Sequence, residues 1–104
     1  MKITAIETIR LDEFPNLLWV QIQTDEGLTG LGETFMGPAS AEAYIHEQAA
    51  PWLVGADPMR IDRHSRTLLD GYLGFSGSGA EMRGLSAIDI ALWDLFGQAT
   101  GQPI

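Results

Sequence analysis

The chain has 104 residues, of which 45% are hydrophobic and 19% charged, a composition typical of one folded domain and not of a disordered segment. Its net charge of −8 disfavours partners such as nucleic acid and anionic membrane surfaces. The lack of cysteine excludes a disulfide framework and a thiolate zinc site. The N-terminal residues lack the apolar core of a signal peptide, which predicts a cytoplasmic protein.

The first third of the chain predicts three antiparallel strands. Apolar and polar residues alternate over residues 2–11 and again over residues 17–24. A DEGLTG turn, in which Gly27 is free to take a positive φ, leads into a third strand at 28–34. The short connections predict a meander. The apolar residues that share one face are Ile3, Ala5, Ile9 and Leu11 in the first strand and Leu18, Val20 and Ile22 in the second.

Two helices are predicted next. Ser40 is a candidate N-cap for a helix over residues 41–50, which Pro51 must kink or end. Asp57 is placed to cap a second helix over residues 58–72. Strands followed by a separate layer of helices predict an α+β fold.

A third helix is predicted over residues 79–100, and two capping boxes compete to start it. Ser78 with Glu81 matches the pattern, and so does Ser86 with Asp89. We favour the earlier start because the apolar stripe of the helix already begins within its first turns. A glycine and a proline follow the helix and predict its end.

The third helix is apolar on almost every side. Its main stripe is Leu85, Ile88, Leu92, Leu95, Phe96 and Ala99. On the opposite side, apolar residues surround Asp94, and these are Ala87, Ile90, Ala91 and Trp93. Such a helix is buried on more than one flank. The second flank either completes the core of this domain or forms an interface with another domain.

Few groups typical of catalysis are present. Lys2 is the only lysine, so there is no P-loop, and Phe35 stands in GLGETF where a dinucleotide fingerprint needs glycine. His46 and His64 have carboxylates nearby, but a metal site usually needs three inward ligands, and we expect both to face solvent. Glu33, which ends the third strand, is expected to make a salt bridge or a turn hydrogen bond.

Four segments resemble the N-terminal capping domain of the enolase superfamily, in its mandelate racemase and muconate lactonizing enzyme branch. They are KITAIETIRL, TDEGLTGLGE, LVGADP and SAIDIALWDLFGQATGQPI. The stretch from DEFPN to TFMG looks most like sugar-acid dehydratases of the galactonate dehydratase type. The resemblance covers the whole chain, so residues 1–104 are predicted to form one capping domain without the TIM barrel that it caps.

The resemblance implies that the chemistry belongs to the barrel. There, Mg²⁺ stabilises an enediolate formed when a base removes the proton α to a carboxylate. No catalytic residue or metal ligand is carried over to this chain, which is therefore predicted to be inactive alone. The first candidate function is the capping and substrate-specificity domain of a Mg²⁺-dependent acid-sugar dehydratase. The alternatives are a racemase, epimerase or cycloisomerase of the same superfamily, and a non-catalytic, self-associating module.

The resemblance also implies which residues act. The loops after the first and third strands close over the barrel mouth, and the candidates to contact the acid-sugar substrate are Phe14, Pro15, Asn16, Phe35 and Met36. The residues predicted at the interface with the C-terminal barrel domain are Asp89, Ile90, Trp93 and Asp94. A homo-oligomer is expected because the family often forms oligomers.

Overall fold

The fold begins with a small sheet, which confirms the predicted meander and the α+β class. The computed structural model describes residues 1–70 and 79–103. Three antiparallel strands pair in the order β1-β2-β3, namely β1 (Ile3–Ile9), β2 (Leu17–Thr24) and β3 (Thr29–Phe35). Gly27 turns the chain between β2 and β3 with φ at 80°, as predicted.

The buried face of the sheet follows the sequence pattern in β2 but not in β1. The β2 side chains that face the helices are fully buried, and they are Leu18, Val20 and Ile22. In β1 a bulge between Ile3 and Ala5 shifts the register. Ile3 and Ile6 are therefore both buried, whereas Ile9 is half-buried and Leu11 is exposed. The predicted face of β1 is wrong beyond Ile3, because a bulge places an extra residue in one strand and breaks the two-residue alternation.

Helices cover one face of the sheet. They are α1 (Pro38–Tyr44), a π-helical turn (Ile45–Ala49), α2 (Ala50–Leu53), α3 (Ile61–Asp70) and α4 (Ala80–Thr100). Gly37, not Ser40, is the N-cap of α1, so the predicted cap lies inside the helix. Pro51 distorts the helical path without ending it. The π turn ends two residues before this proline, and helical structure continues to the end of α2.

Helix α3 begins later than the sequence predicts. The Asp57 carboxylate accepts a hydrogen bond from the Met59 amide at 2.9 Å. This bond closes a turn ahead of the helix, and α3 starts only at Ile61.

Helix α4 has the earlier of the two predicted starts. Its N-cap is Gly79, and no side chain caps it. Ser86 lies inside the helix, which rules out the later capping box, while Ser78 falls outside the described residues. The helix ends at Gly101, whose φ of 73° is the left-handed conformation predicted for that glycine.

Helix α4 packs directly on the backbone of β3. A Cβ atom added to Gly32 would lie 1.9 Å from the carbonyl oxygen of Ala87, and one added to Gly30 would lie 2.2 Å from that of Ala91. Only glycine permits this approach. Ala87 and Ala91, which the sequence places on the second flank of the helix, are thus covered by this chain's own sheet.

Two side chains of α4 also satisfy the free edge of β3. Asp94 accepts a hydrogen bond from the Leu31 amide at 2.9 Å, and Gln98 donates one to the Thr29 carbonyl at 2.8 Å. Asp94 and Gln98 are four residues apart on the helix, and Leu31 and Thr29 are two residues apart on the strand. Both separations are roughly 6–7 Å, so each side chain reaches its own backbone partner. The helix therefore protects an edge that would otherwise expose unpaired backbone groups.

Candidate substrate-facing loops and domain interface

The structure brings together the two loops predicted to face the substrate. The first loop (residues 10–16) joins β1 to β2, and the second loop (residues 36–37) joins β3 to α1. The Met36 amide donates a hydrogen bond to the Asn16 carbonyl at 3.0 Å, one step beyond the last strand pair, Leu17 with Phe35. The register of the sheet thus determines which loop residues meet.

The first loop is a compact double turn. The Phe14 amide donates to the Leu11 carbonyl at 3.0 Å, and the Leu17 amide donates to the Phe14 carbonyl at 3.1 Å. The Phe14 ring packs edge-on against Trp19, with ring centroids 6.1 Å apart. These contacts hold the loop against the sheet while leaving much of it in solvent.

The five predicted substrate-facing residues are all exposed, and three of them are apolar groups of considerable size. Phe14 is 49% exposed, Phe35 56% and Met36 54%. Pro15 and Asn16 are exposed beside them. The two loops thus leave apolar side chains open to solvent, and Asn16 adds an amide side chain able to donate and accept hydrogen bonds.

Met36 has an unusual backbone conformation. Its φ of 64° makes it the only non-glycine residue with positive φ in residues 1–70 and 79–103. Gly37 follows with the same φ. A left-handed conformation costs a residue with a Cβ about 1 kcal/mol, and such strain is concentrated at functional loops. The bond to Asn16 is part of what holds Met36 in this conformation.

A polar network, which the sequence does not reveal, lies at the base of both loops. The Thr8 hydroxyl donates to Glu42 Oε2 at 2.6 Å, and Arg10 Nε lies 3.4 Å from Glu42 Oε1. His46 Nε2 lies 2.8 Å from the same hydroxyl. A hydroxyl has one hydrogen, so His46 donates to Thr8. His46 is exposed as predicted, but its Nε2 atom makes a hydrogen bond. Thr8 lies 34 residues from Glu42 and 38 from His46 along the chain, so no local sequence pattern indicates these contacts.

The expectation that His64 faces solvent is wrong. The side chain is buried, with 4% exposed. Trp52 Nε1 donates to His64 Nδ1 at 3.2 Å, so Nδ1 is an acceptor. Nε2 lies 2.7 Å from the Asp57 carbonyl and donates to it. The two bonds select one neutral tautomer and use both ring nitrogens, which leaves none to bind a ligand.

The four predicted interface residues divide into two kinds. Asp89 accepts a hydrogen bond from Ser65 Oγ at 3.0 Å, and Asp94 accepts one from the Leu31 amide. Both carboxylates therefore stabilise this chain itself. Ile90 and Trp93 are 48% and 43% exposed, so they do not fill the core of this domain.

A groove of about 660 Å³ runs beside Trp93. Trp93 packs edge-on against Phe96, with ring centroids 5.5 Å apart. The groove is lined by both aromatic residues and by the turn before α3 and its first residues, namely Asp57, Met59, Arg60, Ile61, Asp62 and Arg63. The two aromatic residues give the groove an apolar part, and the turn and α3 contribute side chains of both charges.

The described residues contain no metal centre. Over residues 1–70 and 79–103, no three histidine or carboxylate side chains are grouped closely enough to hold a metal ion. Glu33 is exposed, and within the same residues it makes neither the salt bridge nor the turn hydrogen bond that its position suggested. No helix within that part of the chain is both long and apolar enough to span a membrane.

These features define a class of protein domain. A three-stranded meander is covered on one face by helices, two exposed loops meet at one end, and the last helix keeps an apolar flank open. The sequence profile of the mandelate racemase / muconate lactonizing enzyme N-terminal domain matches residues 4–104. The chain belongs to this family.

Relatives of known name are much longer proteins. The chain is 42% identical to D-galactonate dehydratase of Ralstonia nicotianae and 35% identical to D-mannonate dehydratase of Novosphingobium aromaticivorans, covering 27% and 26% of their lengths. It also superposes with a TM-score of 0.94 on the crystal structure of an enolase of the mandelate racemase subgroup from Agrobacterium tumefaciens. There the identity is 60%, and the match covers 99% of this chain and 28% of the other. The chain thus spans about a quarter of the proteins that it matches.

Proposed function

We propose that this chain is the capping and substrate-specificity domain of an acid-sugar dehydratase. The observation that carries the proposal is the Met36–Asn16 hydrogen bond, which joins two exposed loops into one surface. The sequence similarity to a D-galactonate dehydratase and a D-mannonate dehydratase supports an acid sugar as the substrate. The reaction of such an enzyme begins with removal of the proton α to a carboxylate.

The role of this domain is binding and exclusion of water. Phe14, Phe35 and Met36 form an apolar cover, and a covered site strengthens every electrostatic interaction beneath it. The Asn16 amide is placed to hydrogen-bond a sugar hydroxyl. The Mg²⁺ that this chemistry uses does not fit the described residues of this chain, which offer no cluster of ligands. We assign the metal and the base to the C-terminal barrel domain of the full-length protein.

The partner of the apolar flank of α4 is that barrel domain. Ile90 and Trp93 project between Asp89 and Asp94, whose own hydrogen bonds hold α4 against this chain. Covering the exposed half of a large apolar side chain contributes about 1 kcal/mol. The flank and the adjoining groove therefore offer apolar surface for contact with a second domain, and the relatives have the additional length to provide one.

The test is a substrate screen of the full-length protein with Mg²⁺ against a library of acid sugars. For the best substrate, we expect F35A to lower kcat/KM by about ten- to a hundredfold, because lost cover exposes the site to water. V54A is the matched control, since Val54 is an exposed apolar residue outside both loops. Unchanged kcat/KM in F35A for every substrate turned over would overturn the specificity role.

The same screen separates the alternatives. A dehydratase releases water and leaves a keto acid, whereas a racemase, epimerase or cycloisomerase leaves the mass of the substrate unchanged. The exposed Ile90 and Trp93 also suit a self-associating module without activity. Absence of turnover, together with a dimer that W93S dissociates in sedimentation experiments, would favour that module. A cytoplasmic location and a homo-oligomeric enzyme stay predictions.

A further inference from the structure

We propose that Glu42 is a positioning residue, which sets the distance between the two substrate-facing loops. The proposal rests on the proposed function, because it concerns the loops assigned there. Glu42 belongs to α1, five residues after the second loop ends at Gly37. Thr8 belongs to the end of β1 and Arg10 opens the first loop. One carboxylate thus ties α1, the helix that directly follows the second loop, to the residues at which the first loop begins.

The two oxygens of Glu42 have separate tasks. Oε2 accepts the Thr8 hydroxyl at 2.6 Å, a short charge-assisted bond in a partly buried position. Oε1 faces Arg10 Nε at 3.4 Å, and because the Arg10 side chain is half exposed, this contact is the weaker one. The contact with the Thr8 hydroxyl therefore contributes most to fixing the Glu42 carboxylate, and the contact with Arg10 contributes less.

His46 reinforces the hydroxyl contact. It lies four residues after Glu42, so both side chains leave the helix on the same side and reach the same Thr8 oxygen. Thr8 donates to one of them and accepts from the other. Both hydrogen-bonding functions of the hydroxyl are used, which makes Thr8 the centre of the network.

The network complements the contact between the loops themselves. The Met36 amide and the Asn16 carbonyl join the loops where they leave the sheet, and Glu42 joins them at the opposite end of the first loop. Arg10 also lines a depression of about 390 Å³ together with Leu11, Asp12 and Pro15. The shape of that depression, which includes a predicted substrate-facing residue, depends on where Glu42 holds Arg10.

The test uses the full-length protein with the variants T8V, T8S, E42A and E47Q. T8V removes the hydroxyl while keeping the shape of the side chain, and T8S restores the hydroxyl. Hydrogen exchange followed by mass spectrometry measures the amides of the first loop and of Met36. We expect about tenfold faster exchange of these amides in T8V and E42A, and near wild-type exchange in T8S. E47Q is the matched control, because Glu47 is exposed, lies beside His46 in the π-helical turn that follows α1 and makes no contact of this network.

Kinetics supplies a readout that a merely structural role would not move. We expect KM for the best acid sugar to rise about fivefold in T8V, with kcat changed less than about twofold, because the loops bind substrate and the barrel reacts with it. Loop exchange that is unchanged in both T8V and E42A would overturn the proposal. If the protein turns over no acid sugar, the proposed function fails, but the exchange experiment still decides whether Glu42 positions the loops. If E42A does not fold, T8V and T8S give the answer.

Discussion

The contact between Gly32 and α4 gives the sharpest stability prediction. In G32A the new Cβ atom would lie 1.9 Å from the Ala87 carbonyl oxygen and 2.9 Å from its carbonyl carbon, whereas real Cβ contacts are essentially never shorter than 3.0 Å. Both atoms belong to the helix backbone, so no change of side-chain conformation relieves the overlap. The helix must move away from the sheet by about 1 Å, which separates Leu92 and Leu95 from the core that they fill.

The expected loss is large relative to the stability of a domain of this size. Overpacking of a well-packed core usually costs 1–3 kcal/mol, and a rigid backbone obstacle places G32A at about 3 kcal/mol or more. For about 100 residues, this lowers the melting temperature by roughly 12–24 °C. Urea denaturation of the 104-residue chain, followed by tryptophan fluorescence, measures the difference.

The matched control for G32A is G27A. Gly27 has a φ of 80° and open space around its Cα, so its replacement costs only the left-handed strain, about 1 kcal/mol. Adding A87G to G32A does not restore stability, because the obstructing atom is a carbonyl oxygen and not the Ala87 methyl group. If G32A loses less stability than G27A, the argument from close backbone approach is refuted.

Three further predictions concern single hydrogen bonds. D94A leaves the Leu31 amide at the sheet edge without its acceptor, and we expect a loss of about 1 kcal/mol in the free energy of unfolding. W52F removes the N–H donor to the buried His64 Nδ1, with an expected loss of about 1 kcal/mol in the same measurement. The hydrogen bond and the charge of Glu26 raise the pKa of the amino terminus. The stabilisation of the folded state by this contact is fully present below the unfolded-state pKa of the amino terminus. It is lost as the pH rises through the folded-state pKa of the same group. We therefore expect E26Q to reduce the loss of stability seen between neutral and strongly alkaline pH.

Controls for these predictions come from the same chain. D62A breaks an exposed ion pair with Arg66 on α3, and we expect a change within about 0.5 kcal/mol. A D94A effect no larger than that of D62A would contradict the role of Asp94 at the sheet edge. Equal stability of W52F and the parent chain would show that His64 does not need its donor. For E26Q, a pH dependence identical to that of the parent chain would be the contradicting result.

Much of the fold was predictable because its signals are local. The alternation of apolar and polar residues in β2 identified its buried face. Two glycines, Gly27 in the turn and Gly101 at the end of α4, indicated positive-φ conformations that other residues rarely adopt. The family could also be recognised from the motifs. The candidate loops followed from that recognition, and strand pairing then placed Asn16 and Met36 in contact.

The remaining features arise from contacts between residues distant in the chain. The bulge near Ala5 reverses the inward face of β1. His64, which its own helix pattern places in solvent, is buried and hydrogen-bonded to Trp52 and to the Asp57 carbonyl. Glu42 reads as an ordinary helix carboxylate until the fold brings it to Thr8.

The sequence by itself determined the order of the elements, the inward face of β2 and the positions of the two loops, because backbone conformational preference and hydrophobic periodicity act over a few residues. Only the tertiary structure decided that the glycines of β3 serve close packing with α4, and that Ala87 and Ala91 are covered while Ile90 and Trp93 are not. The reason is geometric. The angle at which a helix crosses a sheet decides which flank of the helix is buried. That angle depends on the shapes of both packed surfaces together.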